Sequence, residues 1–414
     1  MVVICEPSCK YFSHEKINEG FINKTRLAFP NEKIIFLGHK SHIEVLQNNL
    51  VNSKIEIGNI QFNKIKINTN QSAFGLLTNY RILRKINRII INNDQSKLLF
   101  LSHPKTILFI FKYFNYKINT NKIFIQHGEF ESILDPIKPK FKLFDLPQES
   151  TFSRIRKVSF TSLKKYSSKF LIKLDPFYWF LKKVSYKKLL EKNNSNSFRY
   201  ILISEHIKKN VSKIINLKKY NFHVVNYPQV QKKNFIHSNN EFPKFAIFGY
   251  GDSRMLFNLN VKIKKLIKKE KFEIRIIGMD NRGIKDFSWV NCPKKGKTLT
   301  RVEMERLIVD IDYFLILYTN DKYRLSCSAS IIEAISYGKP IIHLKNDCIS
   351  HFNEGNKIGY EETSLESIAK RILNISLNFN IELEKINFFK ENIKIKSELI
   401  SPKNQLEEFR KTFN

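Results

Sequence analysis

The chain has 414 residues and carries 71 lysines and arginines against 38 acidic residues, which gives a formal net charge of +33 at pH 7. Hydrophobic residues make up 42% and aromatic residues 13% of it, enough to bury a core, so a disordered chain is excluded. With 13 glycines and 12 prolines, a collagen-like or Pro/Gly-rich low-complexity chain is excluded as well. At roughly 100–200 residues per domain, the length predicts two domains, or three small ones.

The sequence contains no targeting or membrane-spanning signal that we recognise. It has no uninterrupted apolar run of about 18 residues, so no ordinary membrane span is expected. The opening residues, MVVICEPSCK, lack the basic region, apolar stretch and cleavage site of a secretory signal. Five scattered cysteines without a C-x-x-C pair favour a reduced, cytoplasmic protein.

The first half alternates β-branched or aromatic runs with helical patterns, which is typical of βαβ units and a mainly parallel sheet. The predicted strands are Val2–Cys5, Lys33–Leu37, Lys97–Leu101, Lys122–Gln126 and Tyr200–Ser204. The predicted helices are Gly20–Ala28, His42–Asn49, Tyr80–Ile91 and Thr106–Phe114.

A second series follows a polar stretch at 231–243. Its predicted strands are Phe245–Phe248, Phe272–Ile277, Trp289–Asn291, Tyr313–Leu317 and Pro340–His343. Its predicted helices are Leu259–Lys268, Arg301–Ile308, Ser330–Ser336 and Leu365–Ile375. The two series predict an α/β protein in which two Rossmann-like domains, residues 1–235 and 243–385, face a cleft, and a helical tail covers 386–414.

One segment, at about 151–195, departs from this alternation. Between Arg154 and Lys192 it has twelve basic residues, two acids and eight interleaved aromatic residues. Basic head groups over an aromatic face suit a helix lying in a membrane interface. The same mixture suits stacking on nucleobases, and an ordinary solvated helical pair is the third interpretation. Because lysine, isoleucine and asparagine are abundant throughout, compositional bias is an alternative cause of the net charge.

The most informative stretch follows the predicted strand Tyr313–Leu317. A loop carrying Ser326, Ser328 and Ser330 leads into a helix whose first turns contain Glu333. Free N–H groups at a helix N-terminus bind anions, and small serines let a diphosphate approach. Glu333 has two interpretations, because it either accepts hydrogen bonds from ribose hydroxyls or closes a capping box with Ser330.

The string from Ser328 to Ile342, S-x-S-x-x-E-A-x-x-x-G-K-P-I-I, resembles the nucleotide-binding region of GT-B glycosyltransferases. The resemblance is clearest over about 243–380 and weaker over 1–235. It implies two Rossmann-like domains, a donor diphosphate at the helix N-terminus and a ribose contact by Glu333. The segment YILISEHIKKNV at 200–211 is similar to a strand–Ser–helix unit at the end of the family's first domain.

The sequence also departs from the family pattern. Many retaining members carry an additional Glu eight residues before the one matched by Glu333, and Leu325 occupies that position here. The usual Arg/Lys pair after the second domain's first strand is replaced by Arg254 alone. The stereochemical outcome is therefore left open.

The turn that opens the second domain supplies further candidates for donor binding. Gly249 and Gly251 would permit a donor phosphate to approach the backbone, with Asp252 and Arg254 beside it. A tight strand–helix turn needs glycine without any ligand, which is the alternative.

Three predicted strands of the first domain precede residues that suit acid–base chemistry. His127 and Glu129 follow Lys122–Gln126, and either of them is a candidate base for an acceptor hydroxyl. The resemblance supports this, because GT-B enzymes often use an acidic or His residue on that side. A turn histidine and a solvated glutamate are the alternative. Glu6 and His103, which follow two other strands, are acceptor-side candidates.

Motifs for bound metals and cofactors do not fit the sequence. Asp310 and Asp312 precede a strand by a few residues and would lie away from its carboxyl end. A P-loop, an opening G-x-G-x-x-G and an H-E-x-x-H motif do not occur. We expect neither a metal nor a cofactor, with a helix N-terminus and basic residues stabilising the leaving nucleotide.

The sequence thus predicts a hexosyltransferase or related glycosyltransferase acting in lipopolysaccharide or capsule assembly. It would use a nucleotide sugar, most simply a UDP-sugar, and a saccharide or lipid-linked saccharide acceptor, at the cytoplasmic face of the membrane and without a specific nucleic acid. One alternative is a nucleotide-sugar epimerase or glycerophosphotransferase on a related scaffold. Another is a non-enzymatic basic protein that binds membranes or nucleic acid.

Overall fold

The structure, a computed structural model, describes residues 1–68, 71–91, 93, 95–133, 175–192, 195–228, 240–248, 253–278, 287–293 and 299–414. The strands are β1 Val2–Cys5, β2 Ile34–Gly38, β3 Ile60–Lys64, β4 Lys97–Phe100, β5 Lys122–Gln126, β6 Phe198–Leu202, β7 Asn221–Val224, β8 Lys244–Phe248, β9 Glu273–Ile277, β10 Val290–Asn291, β11 Tyr313–Ile316, β12 Ile341–Leu344 and β13 Gly359–Glu362. The α-helices are α1 Glu15–Ala28, α2 Lys40–Asn52, α3 Ala73–Ile90, α4 Lys105–Tyr113, α5 Pro176–Lys183, α6 Tyr186–Glu191, α7 Glu205–Val211, α8 Ser253–Leu266, α9 Arg301–Ile308, α10 Ala329–Ser336, α11 Asp347–Asn353, α12 Leu365–Leu377, α13 Phe379–Leu399 and α14 Leu406–Lys411.

The strands form two parallel sheets, which confirms the predicted α/β architecture of two Rossmann-like units. The first sheet has seven strands in the order β3-β2-β1-β4-β5-β6-β7, and the second has six in the order β10-β9-β8-β11-β12-β13. Apolar runs such as VVIC in β1 and YFLI in β11 are buried along their whole length because helices cover both faces of each sheet.

In each sheet the strand order reverses beside the first strand of the unit. The reversal lies between β1 and β4 in the first sheet and between β8 and β11 in the second. Open α/β sheets bind ligands outside the carboxyl ends of the strands at such a switch point. Residues that follow β1, β4, β8 and β11 are therefore expected to form the ligand-binding sites.

The C-terminal helices join the two units. In α13, the buried Glu382 accepts hydrogen bonds from the hydroxyl groups of Tyr313 and Tyr360, both at 2.6 Å, which fixes this helix to the second sheet. The following α14 packs on α1 of the first unit, where the Phe409 and Phe21 ring centroids are 6.1 Å apart. The C-terminal residues are thus helical over Phe379–Leu399 and Leu406–Lys411, and the end of the chain returns to the first unit.

Most predicted elements agree with the structure to within a few residues, and the differences concern amphipathic or polar segments. Helix α3 begins at Ala73, two turns before the predicted start at Tyr80, because Ser72 accepts a hydrogen bond from the Gly75 N–H and caps it there. The sequence also missed β3, β7 and β13, none of which is buried along its whole length. Among the described helices, none is both long and apolar enough to cross a bilayer.

A close backbone contact between β12 and β13 leads to a prediction about stability. A Cβ atom added to Gly359 would lie 1.8 Å from the Ile341 carbonyl oxygen, so this parallel pair forms only with glycine there. We expect Gly359→Ala to lower the free energy of unfolding by about 2–3 kcal/mol, measured by urea titration. Gly58→Ala is the control, because that Cβ would meet nothing within 4 Å. Equal stability of the two variants would contradict the prediction.

Candidate functional site

The second unit contributes the N-terminus of α10, which follows β11 at the switch point. Ser328 is the N-cap residue of this helix, and its hydroxyl group lies 3.4 Å from that of Tyr318. Ser326, two residues earlier, donates a hydrogen bond to Glu131 of the first unit, 2.8 Å away. Ser330 lies within the first turn and is half-buried. The three serines predicted to surround an anion are therefore gathered at one helix start.

Glu333 makes an ion pair instead of a capping box. Its two carboxylate oxygens each accept from Nη1 of Arg301 at 3.1 Å, and its side chain is 16% exposed. Because Ser328 rather than Ser330 is the N-cap, the capping interpretation does not hold. Burial raises the pKa of Glu333, while Arg301 opposes that rise. The carboxylate retains lone pairs that can accept from further donors.

In the first unit, the carboxylate of Glu129 organises the backbone that follows β5. Its Oε2 accepts from the N–H groups of His127 at 2.8 Å and Gly128 at 3.0 Å, while Oε1 lies 3.8 Å from Nδ1 of His103. Burial alone would raise the pKa of Glu129, but His103, His127 and the backbone donors lower it below its ordinary value. Glu129 is thus an ionised group that positions its neighbours.

His127 is a buried neutral imidazole beside an exposed one. Its ring is hydrogen-bonded to the Leu101 backbone, while its Nε2 is buried without a hydrogen-bond partner. His14 stacks on it with ring centroids 4.9 Å apart. Burial and the nearby His14 lower the pKa of His127 to about 4. Within the described part of the chain, Nε2 is therefore a buried acceptor with an unused lone pair.

The two acceptor-side candidates, Glu6 and His103, are buried. Glu6 accepts hydrogen bonds from the N–H groups of Ser8 and Cys9, from the Asn18 amide and from the Ser102 hydroxyl group. These contacts fix the loop between β1 and α1. Glu6 therefore stabilises this loop from the protein interior.

His103 takes part in a second buried chain of hydrogen bonds. Tyr186 donates its hydroxyl proton to Oε1 of Gln126 at 2.9 Å, so it accepts from Nε2 of His103 at 2.7 Å. Nδ1 of His103 is left facing Glu129. Burial lowers the pKa of His103, although Glu129 partly opposes this.

Three side chains of the first unit hold the loop that precedes α10. Glu131 Oε1 accepts from the Leu325 N–H at 3.0 Å and from Ser326. His206, at the start of α7, lies 3.0 Å from the Ser326 carbonyl oxygen, and Asn210 donates to that of Arg324 at 3.0 Å. The position of the serine loop thus depends on both units.

A cavity of about 620 Å³ adjoins the contact between Glu131 and Ser326. It is lined by Glu131 and by residues that follow or face β8 and β11: Ser253, Met255, Leu317, Tyr318, Thr319, Asp321, Lys322, Tyr323 and Ser326. A larger cavity of about 1230 Å³ borders Ser96, Lys97 and Lys122 at the amino ends of β4 and β5. Only the smaller one lies at the edge where α/β sheets bind ligands.

Several predicted site residues stand apart from this cluster. Gly249, Gly251 and Asp252 lie outside the described residues, as do residues 151–174 of the basic aromatic segment. Arg254 is exposed in the first turn of α8. Asp310 and Asp312 lie at the amino end of β11, where Asp310 pairs with Arg275 and Lys244.

Sequence reasoning missed several residues of this site, among them His14, Glu131, His206 and Arg301. Glu131 lies two residues after Glu129, so the cluster of acids after β5 was a usable signal. Arg301 was not recognisable, because its partner Glu333 is 32 residues away and the pairing depends on how α9 and α10 pack.

The fold resembles that of solved glycosyltransferases over the whole chain, whereas the sequence matches no protein-family model and no curated protein. A glycosyltransferase from Rickettsia africae aligns with a TM-score of 0.58 at 12% identity, covering 100% of this chain and 97% of that one. Anabaena HepE in complex with UDP-glucose aligns at 0.57 and 10%, covering 99% and 98%. WaaG, a glycosyltransferase involved in lipopolysaccharide biosynthesis, aligns at 0.50 and 10%, covering 100% of both chains. The chain has the GT-B fold.

Proposed function

We propose that this protein is a glycosyltransferase that moves a sugar from a nucleotide sugar to an acceptor hydroxyl. The observation that carries the proposal is the cavity at the switch point of the second sheet, which the first unit closes through Glu131. A donor held there would be enclosed by groups from both units, as transfer between two substrates requires. HepE, which shares the fold, has been seen with UDP-glucose, and this supports a UDP-sugar as donor.

On the donor side, the start of α10 would bind the diphosphate. Its free N–H groups and partial positive charge stabilise negative charge that develops on the leaving nucleotide. Glu333, which Arg301 holds in place through an ion pair, would accept hydrogen bonds from the ribose hydroxyls. We propose that the reaction needs no metal, because Asp310 and Asp312 are engaged at the opposite end of β11.

On the acceptor side, we propose His127 as the base and Glu129 as the residue that positions it. Nε2 of His127 has a free lone pair, whereas both oxygens of Glu129 face backbone donors or His103. As the bond from the donor sugar to the acceptor oxygen forms, the acceptor's proton would pass to Nε2. For this the acceptor must displace His14, which covers the ring.

We further propose that the acceptor is a saccharide or lipid-linked saccharide of a surface polysaccharide, such as lipopolysaccharide or capsule. The enzyme would then work at the cytoplasmic face of the membrane as a peripheral protein. The fold shared with WaaG and the basic aromatic segment at about 151–195 support this.

The first test is a thermal-shift panel of UDP, GDP, ADP, CDP and CMP, each with and without a chelator. A ligand at 100 times its dissociation constant adds about 2.7 kcal/mol to the free energy of unfolding, so a shift of several degrees is expected. We expect UDP to shift the melting temperature equally in both conditions. A shift abolished by the chelator would contradict metal independence, and silence across the panel would contradict the transferase.

Glu333→Gln supplies the matched control for that panel. It keeps the shape of the side chain but removes the charge that accepts from ribose, so the UDP-induced shift should fall. The melting temperature without nucleotide should also fall because the pair with Arg301 is weakened, so each shift is measured from the variant's own nucleotide-free value. An unchanged UDP-induced shift would limit Glu333 to its ion pair with Arg301.

A further inference from the structure

The outward face of α3 is unusual for a helix on a protein surface. Its inward residues Ile82, Leu83, Ile86 and Ile90 are buried against the first sheet. Its solvent-facing positions include three large apolar side chains at helical spacing, Phe74, Leu77 and Tyr80, and the residue after its last turn is Ile91; these four are 37–67% exposed. Surface helices normally present polar side chains outward, and a contiguous apolar patch marks an interaction site.

The remaining exposed positions of this face are arginines. Arg81, Arg84 and Arg88 lie between the apolar residues, and the helix sequence AFGLLTNYRILRKINRII contains no acid. The nearest acidic side chain that contacts it, Asp175, is occupied, because it accepts from the N–H groups of Ala73 at 2.6 Å and Phe177 at 2.8 Å. Among the residues that the structure describes, no acidic side chain pairs with these arginines, so the face combines positive charge with exposed apolar rings.

The surface continues onto α5 and the end of α4. Asp175 joins the start of α3 to the start of α5, where Trp179 and Phe180 are 37% and 47% exposed. Phe109 of α4 contacts Phe180 at 5.8 Å and Phe114, which is 56% exposed, at 5.5 Å between ring centroids. We call these exposed residues of α3, α4 and α5 the α3 surface.

We propose that the α3 surface docks on an anionic lipid bilayer. The inference deepens the proposed function, since it identifies where the enzyme would meet the membrane that carries its acceptor. Arginines beside aromatic rings match an interface in which lipid phosphates lie above acyl chains, and tryptophan and tyrosine favour that depth. Phenylalanine, leucine and isoleucine would enter the acyl region.

The position of the surface relative to the site supports this occupant. Because α3 runs from the carboxyl end of β3 to the amino end of β4, its aromatic start lies at the edge of the sheet that carries the site. The adjoining α6 provides Tyr186, which is hydrogen-bonded to His103 beside Glu129. A bilayer against this surface would hold a lipid-linked acceptor next to the first-unit residues of the site.

The test measures binding of the full chain to vesicles of phosphatidylcholine alone and of phosphatidylcholine with phosphatidylglycerol. The chain has two tryptophans, so Trp289→Phe leaves Trp179 as the sole reporter. We expect a blue shift of Trp179 emission with anionic vesicles, weakened by salt and absent with phosphatidylcholine alone. An unchanged spectrum, or an equal shift with both vesicles, would overturn the proposal.

Charge reversal tells the α3 surface from the general positive charge of the chain. Replacing Arg81, Arg84 and Arg88 with Glu should weaken binding to anionic vesicles at least about 50-fold. The control replaces Lys264, Lys265 and Lys268, exposed residues at the end of α8 and just beyond it, with Glu for the same change in charge. Equal losses in the two triple variants would reduce the effect to net charge and contradict the proposal.

A second variant tests the apolar part. The double variant Phe74→Ser and Leu77→Ser should remove the blue shift of Trp179 emission. A UDP-induced thermal shift equal to that of the unmodified protein shows that this variant is folded. Unchanged emission would overturn the proposal, as would tighter binding of a DNA duplex than of vesicles through the same arginines. If the unmodified protein responds to UDP but does not bind vesicles, the membrane proposal is contradicted and the proposed function is not. If the unmodified protein does not respond to UDP, the proposed glycosyltransferase function is contradicted.

Discussion

Replacing His127 with glutamine is expected to lower the rate of sugar transfer by about 10²–10⁴-fold, while UDP affinity stays unchanged. The reason is that Nε2 of this ring is buried without a hydrogen-bond partner among the described residues, so its lone pair can accept a proton. Initial rates with saturating donor, together with UDP thermal shifts, measure the two quantities separately.

Glu129→Gln is the comparison that separates the two candidate bases. Glutamine keeps one oxygen for the His127 N–H, so we expect a smaller loss than in His127→Gln, together with a changed pH profile because the charge beside both histidines is lost. If Glu129→Gln abolishes transfer and His127→Gln does not, the roles are reversed.

The pH dependence follows from the burial of His127. Because burial and His14 lower its pKa from 6.5 to about 4, the folded protein binds fewer protons than the unfolded chain between these values. This histidine therefore makes the free energy of unfolding fall as pH drops from about 6.5 to about 4. The base stays deprotonated over the same range, so the rate should show no loss near pH 6.5. His14→Ala should move the acid limb upward, because the pKa of His127 then rises.

Replacing Glu6 with alanine is expected to lower the free energy of unfolding by about 3–5 kcal/mol, the largest stability effect anticipated here. The side chain is completely buried and accepts four hydrogen bonds, from Ser8, Cys9, Asn18 and Ser102. Removing it leaves those donors unsatisfied in the interior. Chemical denaturation followed by far-ultraviolet circular dichroism measures the change.

An exposed glutamate on α2 provides the control for that measurement. Glu44, whose side chain is 58% exposed, makes only a long contact with Lys40, so Glu44→Ala should change stability by less than about 0.5 kcal/mol. If Glu6→Ala unfolds with the same free energy as Glu44→Ala but has lost sugar transfer to the acceptor, the stability prediction is contradicted. Glu6 would then contact the acceptor, as the sequence analysis predicted.

How far the sequence predicts this molecule depends on the range of the interactions involved. The buried strands were predicted because continuous apolar runs such as IIFLG in β2 are set by local composition. The half-buried β3, IQFNK, was missed because its alternation is too short to stand out. The site is harder to predict, because the hydrogen bond between Ser326 and Glu131 joins residues 195 positions apart. No periodicity of the sequence encodes that contact.

A pair of S/T-x-x-E segments in the second unit shows the same limit at close range. Thr300 and Glu303 form a capping box at the start of α9, whereas Ser330 and Glu333 share the pattern and do not. The difference is that α10 begins at Ala329, so Ser330 already lies inside the helix and Glu333 is turned toward Arg301. The packing of α9 against α10, which the sequence pattern does not encode, therefore determines which contact Glu333 makes.

The return of α14 to the first unit means that the chain crosses between the two units twice, once after β7 and once between α13 and α14. Two units joined by one chain segment can rotate in any direction, but a second connecting segment restricts them to rotation about the line through both crossings. We therefore expect the cleft to open by rotation about that line. Each cycle of that motion would return Glu131 and His206 to the same partners in the 323–326 loop.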